Sequence, residues 1–310
     1  MDNVIEINGL TKDYDVGFWR KRKVRALDGL DLAVSRGQIF GFIGGNGAGK
    51  TTTIKILMSL LFSDAGSAKI LGRDISDRSM HSRIGYCPEN PYFYDYLSAS
   101  ELMLYFGRLA GLSIAEAKVK RDSLLDLVGI EERDRGRQLR KYSKGMLQRV
   151  GIAQALIGEP EVVFLDEPMS GLDPIGRRDV RNLVASLRTK GVTVFMSTHI
   201  LSDIEALCDN VAIMRKGRLA ATGRLSELLG SGEGDRFEIC VKRISADTAT
   251  RIATGVAAEL SVIAEGAIFT VRGEQSVLKI INSVNEAGGS LVSVTPVRQS
   301  LEQLFSEKAG

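Results

Sequence analysis

The sequence predicts an α/β fold on a mixed sheet, with a helical insertion and a small α+β domain behind it. Three observations carry this. A glycine-rich loop at residues 44–52 lies between a continuous apolar run and a segment of helical spacing. Two later apolar runs, 161–168 and 192–199, end in a pair of acids and in a histidine. After a Gly/Ser stretch at 230–234 the pattern restarts in the order βαββαβ, that of a ferredoxin-like domain.

Taken in order, residues 4–10 alternate as a strand does, and 26–34 form a second strand leading to Gly37. Between them, 17–25 is basic and aromatic. It is either a loop touching lipid head groups or a partner, or a solvated hairpin tip. The hairpin tip is favoured, because short charge runs are usually solvated faces. Ile39 to Ile43 are all apolar or glycine, as expected for a strand buried on both faces of a parallel sheet. Ile54, Leu57, Met58 and Leu61 then recur at helical spacing. Short strands fall between 69 and 89, including 84–87, and 88–96 is dense in aromatics: Tyr92, Phe93, Tyr94 and Tyr96. From 98 to 139 the spacing is helical. Leu102, Leu104, Tyr105, Leu109, Leu124, Leu125, Leu127 and Val128 are read as helix-packing core. Ser143 is placed to N-cap a helix whose buried face is Val150, Ala153, Leu156 and Ile157. Residues 210–214 and 218–221 suggest a hairpin around Lys216-Gly217. The restart then reads as strand 237–241, helix 246–258, strands 260–264 and 268–271, helix 277–284 and strand 291–297, with a short helix at 301–305.

Composition sets bounds on function. The chain has 310 residues, 44% apolar and 25% charged, which is ordinary for a soluble globular protein. A net charge of +3 does not indicate a dedicated nucleic-acid binder, and no nucleic-acid partner is expected. Cys87, Cys208 and Cys240 are widely spaced, form no metal-ligand pattern and read as free thiols in a reducing compartment. Residues 1–8 are acidic and lack an apolar signal core, and no apolar run is long enough to cross a bilayer. The expectation is a cytoplasmic protein whose membrane role, if any, goes through a partner.

The chemistry is concentrated in three places. Gly44-Gly45-Asn46-Gly47-Ala48-Gly49-Lys50-Thr51-Thr52 fits the pattern of a phosphate-cradling loop. A triphosphate needs many donors packed together, and backbone N–H groups supply them in a tight nest. Gly45, Gly47 and Gly49 are expected to take the positive φ angles such a nest needs. Lys50 would place an ammonium on the β- and γ-phosphates, and the Thr51 hydroxyl would ligate Mg²⁺. A parallel strand delivers its C-terminal end to the ligand crevice of an open α/β sheet. Asp166 at such an end is expected to hold Mg²⁺, and Glu167 to take the proton from an attacking water. A lone strand-end histidine is more often structural. With the two acids, the reading moves to His199 orienting that water or contacting the γ-phosphate.

With these residues in hand, the chain resembles the ATP-binding subunit of a bacterial ABC transporter, of the exporter type with a C-terminal extension. The resemblance covers roughly residues 4–229 and rests on several ordered motifs: the phosphate loop, the Asp166-Glu167-Pro168 end of Walker B, a D-loop at Ser170-Gly171-Leu172-Asp173 and a switch histidine at His199. It implies a P-loop ABC cassette (1–229, helical subdomain about 90–158), a linker (230–235) and an accessory domain (236–310). It implies ATP and Mg²⁺, with Tyr14 stacking on adenine, Gly44, Asn46, Gly47, Gly49, Lys50, Thr51, Thr52 and Asp173 at the nucleotide, and Ser143 and Gly145 meeting the γ-phosphate across a head-to-tail homodimer or heterodimer. It also implies integral membrane permease subunits as partners and a peripheral place on the inner face of the membrane. Two motifs depart from the family pattern. The signature reads Tyr142-Ser143-Lys144-Gly145-Met146 where Leu-Ser-Gly-Gly-Gln is usual, and Glu89 stands at the Q-loop glutamine, where a carboxylate could approach Mg²⁺. The competing classes are a soluble ABC-type ATPase of translation or DNA repair, against which the single cassette and lack of zinc spacing speak, and a non-catalytic module, against which Lys50, Thr51, Asp166 and Glu167 speak.

Overall fold

The structure, a computed structural model, describes residues 2–17, 22–229 and 236–296. The expected linker, the terminal helix at 301–305 and part of the basic hairpin segment lie outside the described residues. The chain divides into two compact units, Met1–Leu225 and Ser226–Gly310.

In the first unit, β1 (Asn3–Val16) and β2 (Arg22–Ser35) run antiparallel and stay paired as far as Val16 opposite Arg22. Both are longer than the sequence predicts. The outer ends are solvent-exposed, Val16 and Val24 included, and are held by pairing with each other and not by burial. β3 (Ile39–Gly44) leads through the glycine-rich loop into α1 (Lys50–Leu57). The helix stops short of Leu61, the last apolar residue of the predicted stripe, because Ser59 turns left-handed at φ 55°. β4 (Ala65–Ile70) and β5 (Arg73–Asp74) complete a four-stranded antiparallel sheet in the order β2-β1-β4-β5.

After β6 (Ile84–Cys87) come four helices: α2 (Ala99–Leu109), α3 (Ile114–Leu127), the short α4 (Glu132–Arg135) and α5 (Lys144–Ala155). Their starts are written in the sequence. Ser98 with Glu101 and Ser113 with Glu116 form reciprocal capping boxes, and Ser143 accepts from the Met146 amide. The predicted buried face of α5 is found as expected, through Val150, Ala153, Leu156 and Ile157. On α2 the reading needs correction. Leu102, Met103 and Gly107 face inward, while Tyr105 and Leu109 are exposed. The inward arc runs through Ala99, Met103 and Gly107 with Leu102 at its edge, so 105 and 109, which lie just beyond 102 on the far flank of that arc, stay in solvent.

The remaining elements are β7 (Val162–Asp166), α6 (Pro174–Thr189), β8 (Thr193–Thr198), α7 (Leu201–Leu207), β9 (Asn210–Arg215), β10 (Arg218–Arg224) and α8 (Leu225–Leu228). They build a six-stranded sheet in the order β10-β9-β3-β8-β7-β6, parallel except for the β9–β10 hairpin, which turns at Lys216-Gly217. Every residue of β3, β7 and β8 is buried, as a strand covered on both faces requires. At the centre Phe195 of β8 stacks on Phe40 at 5.6 Å and meets Phe42 at 5.1 Å and Phe164 at 5.4 Å. Three adjacent strands are thereby tied by aromatic contacts.

The second unit follows the order β11 (Arg236–Lys242), α9 (Ala246–Val256), β12 (Glu259–Ile263), β13 (Gly266–Arg272), α10 (Glu274–Glu286), β14 (Ser290–Pro296). All its strand pairs are antiparallel, in the order β12-β13-β11-β14. Its core joins Ile239, Val241 and Phe269 of the sheet to Ala249, Ala253, Ile280 and Val284 of the two helices.

Replacing Phe195 by Ala removes a ring from the centre of three contacts. The expected cost is about 3–5 kcal/mol, a fall in Tm on the order of 10 °C for a unit of this size. Scanning calorimetry checks it, and an unchanged Tm would show that the aromatic cluster contributes nothing to the sheet.

Candidate functional site

The C-terminal ends of β3, β7 and β8 lie side by side because those strands are parallel neighbours, with Gly41 opposite Met196 and Asp166 opposite Ser197. Beside them opens a cleft of about 520 Å³, lined by Tyr14, the loop from Gly45 to Thr52, Glu89, Glu167, Ser170 and His199. It is the crevice that strand order in an open α/β sheet creates.

The loop geometry differs in one respect from the sequence reading. Gly47 (φ 77°) and Gly49 (φ 107°) are left-handed, but Gly45 is not among the positive-φ residues. Gly44 is needed for closeness, since a Cβ there would stand 2.8 Å from the Ala48 Cβ and 2.9 Å from the Met214 carbonyl oxygen. At Gly49 both constraints coincide, and a Cβ would lie 2.6 Å from the Ala26 carbonyl oxygen. Gly49 caps α1 without any side-chain hydrogen bond. The first amides of that helix therefore face the cleft with no side-chain acceptor, an arrangement suited to an anion.

Lys50 is 6% exposed, and a buried ammonium needs acceptors. Its Nζ donates to the Gly44 carbonyl at 2.7 Å and the Gly45 carbonyl at 3.4 Å, and lies 3.2 Å from Glu167 Oε1. The other Glu167 oxygen, Oε2, is 2.8 Å from His199 Nδ1. Lys50, Glu167 and His199 thus form one connected cluster drawn from α1 and from the ends of β7 and β8. Glu167 sits at φ 50°, a conformation that costs a non-glycine residue roughly 1–2 kcal/mol. Its N–H is held by two acceptors on Ser197, the hydroxyl at 3.0 Å and the carbonyl at 3.2 Å.

Asp166 is 2% exposed. Its Oδ1 accepts from Ser197 Oγ at 2.5 Å and from Thr51 Oγ1 at 3.3 Å. The Asp166 charge is felt nearby. Burial first, and then this carboxylate, push the Tyr86 phenol and the Cys87 thiol up to about 12. Cys87 is accordingly held as a neutral thiol. Among the described residues no three His, Cys, Asp or Glu side chains converge as a metal cluster. One buried carboxylate beside a threonine hydroxyl is instead the donor set that suits Mg²⁺, which takes one or two carboxylates and completes its shell with water and substrate phosphates.

Of the other predicted residues, Tyr14 lines the cleft, and its OH lies 3.4 Å from Thr52 Oγ1. Glu89 reaches the wall, where Ser170 Oγ donates to it at 3.5 Å, the outer limit of a hydrogen bond. Ser143, Gly145 and Asp173 do not line the cleft. Ser143 and Asp173 are exposed, and their side chains cap α5 and α6, accepting from Met146 N and Gly176 N. A Cβ on Gly145 would meet nothing nearer than Leu172 at 3.9 Å. Two contributors were missed. Ser197 was read only as part of a strand, and Ser170 only as the first residue of the D-loop. A hydroxyl two residues before the strand-end histidine was the available signal for Ser197.

A family model described as ABC transporter matches residues 27–170. An uncharacterized ABC transporter ATP-binding protein of Synechocystis is 42% identical over 98% of this chain and 84% of its own length. The daunorubicin resistance ATP-binding protein DrrA3 of Streptomyces coeruleorubidus is 34% identical over 100% and 96%, and the bacitracin transport ATP-binding protein BcrA of Enterococcus faecalis 31% over 100% and 97%. Among solved structures, an ATP-binding subunit of an ABC transporter aligns with TM-score 0.62 at 32% identity over 73% of this chain and 91% of that one. A dimeric ATP-binding cassette in a post-hydrolysis state with ADP and Pi aligns with TM-score 0.65 at 22% identity over 71% and 98%, a likeness of fold. The phosphate loop on β3, the acids ending β7 and the histidine after β8 thus sit on a fold shared over 71–73% of the chain and in a sequence shared along nearly all of it, and the chain belongs to the ATP-binding proteins of ABC transporters.

Proposed function

We propose that this chain is the ATP-hydrolysing subunit of an ABC exporter, with Glu167 as general base. The observation that carries the reading is the Lys50–Glu167–His199 cluster, formed where α1 and the ends of β7 and β8 meet the cleft. Lys50 and the first amides of α1 hold the phosphates. Thr51 Oγ1 and Asp166 would hold Mg²⁺, which when bound neutralises charge developing on the phosphoryl oxygens. Glu167 accepts the proton of the water that attacks the γ-phosphorus, and His199 holds the carboxylate in place through Oε2. Tyr14 stacks on the base. Glu89, on the cleft wall, would add a carboxylate beside the metal-holding pair.

Ser143, Gly145 and Asp173 belong in this reading to a second cassette's nucleotide. They are placed away from this chain's own cleft, and Ser143 caps a helix whose positive end is free to receive an anion. ATP would close two cassettes head to tail, and hydrolysis would reopen them. The permease would dock on the aromatic surface at Tyr92, Tyr94 and Tyr96, which is exposed and continuous with Tyr105. Relatives named for antibiotic resistance and transport support export as the direction. Among the described residues no helix is long and apolar enough to cross a membrane; in this reading the chain lies peripherally on the inner face through the permease. Residues 1–229 are the cassette, 230–235 a linker, and 236–310 an accessory domain whose βαββαβ order supports a ferredoxin-like arrangement.

Glu167→Gln is expected to retain ATP binding while hydrolysis falls by about 10²–10⁴-fold, the usual worth of a general base. Unchanged turnover would remove Glu167 from the role. Tyr14→Ala is expected to raise the Kd for ATP by roughly 5- to 150-fold, since stacking on a base is worth about 1–3 kcal/mol, with Tyr14→Trp close to wild type. A Kd insensitive to both would take Tyr14 out of the site. Tagged Glu167→Gln protein, purified with ATP from detergent-solubilised membranes and analysed by mass spectrometry, is expected to bring down a multi-helix membrane protein in stoichiometric amount. Recovery of ribosomal or DNA-repair components in its place would leave the ATPase chemistry standing and overturn the transporter assignment.

A further inference from the structure

Ser197 touches both acids of the site. The parallel register sets it opposite Asp166, it is wholly buried, and His199 follows two residues later. A serine hydroxyl has one proton and two lone pairs, so it can give one hydrogen bond and accept others. Here the proton goes to Asp166 Oδ1 at 2.5 Å, and a lone pair receives the Glu167 N–H at 3.0 Å. The direction follows from chemistry. The Glu167 amide can only donate, so the hydroxyl must accept from it and has its proton free for the carboxylate. One side chain therefore orients the Asp166 carboxylate and also holds the left-handed backbone from which the Glu167 side chain projects.

We propose that Ser197 is a positioning residue for ATP hydrolysis, setting Asp166 toward the metal and Glu167 toward the water through a single hydroxyl. The proposal rests on the reading of Glu167 as base and Asp166 as metal-holding group. Ser197 does not line the cleft, so it acts through those two groups and not on the nucleotide. Nucleotide affinity, which depends on the loop amides, Lys50 and Tyr14, is left alone.

The test compares full-length wild type, Ser197→Ala, Ser197→Cys, Glu167→Gln and the Ser197→Ala/Glu167→Gln double variant. Cysteine keeps the volume but is a weak donor and acceptor, so it repeats the chemical loss without a cavity. Both Ser197 variants are expected to lose about 10–100-fold in kcat with KM within about threefold, as loss of an outer-shell partner does. Mn²⁺ binding in the presence of ADP, titrated by electron paramagnetic resonance without turnover, is expected to weaken by roughly 10-fold or more. The double variant is expected to lose less relative to Glu167→Gln than Ser197→Ala loses relative to wild type, because the part of the effect that runs through Glu167 is already gone and only the part through Asp166 remains. If Glu167→Gln stalls while both Ser197 variants keep wild-type kcat and Mn²⁺ affinity, the Ser197 proposal fails alone. Equal loss in KM and kcat with unchanged Mn²⁺ affinity would mean packing only and also overturns it. Wild-type turnover in Glu167→Gln would instead bring down the reading of the base.

Discussion

The site depends first on the parallel pairing of β3, β8 and β7. A parallel register brings equivalent ends of neighbouring strands to one edge, so the loop after Gly44, the acids at 166 and 167 and the histidine at 199 meet without any long-range search. A one-residue slip of β8 against β7 would remove Ser197 from Asp166 and turn its hydroxyl to the opposite face. That register is held by burial. All residues of the three strands are inside, and Phe195 touches rings on both neighbours. The chemistry is therefore supported by the same apolar contacts that make the sheet.

The second constraint is charge. Lys50, Asp166 and Glu167 are all nearly out of water, and isolated ions there would be very costly. The chain answers by sharing. Lys50 faces Glu167 and two loop carbonyls, Glu167 also meets His199, and Asp166 takes two hydroxyl donors. Removing one member leaves a buried partner exposed to that cost, so substitutions here are expected to couple and not add. Glu167 bears a further burden in its left-handed backbone, tolerated because Ser197 satisfies its amide twice. Strain of this kind collects where a side chain must be aimed in a direction ordinary backbone does not supply.

Much of this was legible in the residues, and the parts that were not share a cause. The phosphate loop, the buried strands, the cap at Ser143 and the turn at Lys216-Gly217 are local, and local patterns carry their own physical reason. Tyr105 and Leu109 were misread because helical spacing identifies a stripe but does not say how far round the helix the core reaches, and here it takes in Leu102 and stops short of its two neighbours. Gly45 was over-read because a glycine beside two left-handed glycines need not share their conformation. Ser197 escaped because its importance is a cross-strand fact. Nothing within residues 193–199 says that position 197 pairs with 166 until the register is known.

The exposed aromatics follow from the same geometry. Tyr94 contacts Tyr96 at 5.9 Å and meets the edge of Tyr105 at 6.2 Å, so the outward face of α2 and the 92–96 segment make one surface of rings that steady one another. Rings fixed in this way lose little further freedom when covered, which is what makes an exposed apolar patch a favourable place to bind. The same segment begins at Glu89, whose carboxylate reaches the cleft wall beside Ser170. Two residues separate a side chain on the cleft wall from the fully exposed Tyr92. The cleft wall and the aromatic surface are thus built from one short run of chain, in which the backbone that places Glu89 also sets where the rings begin.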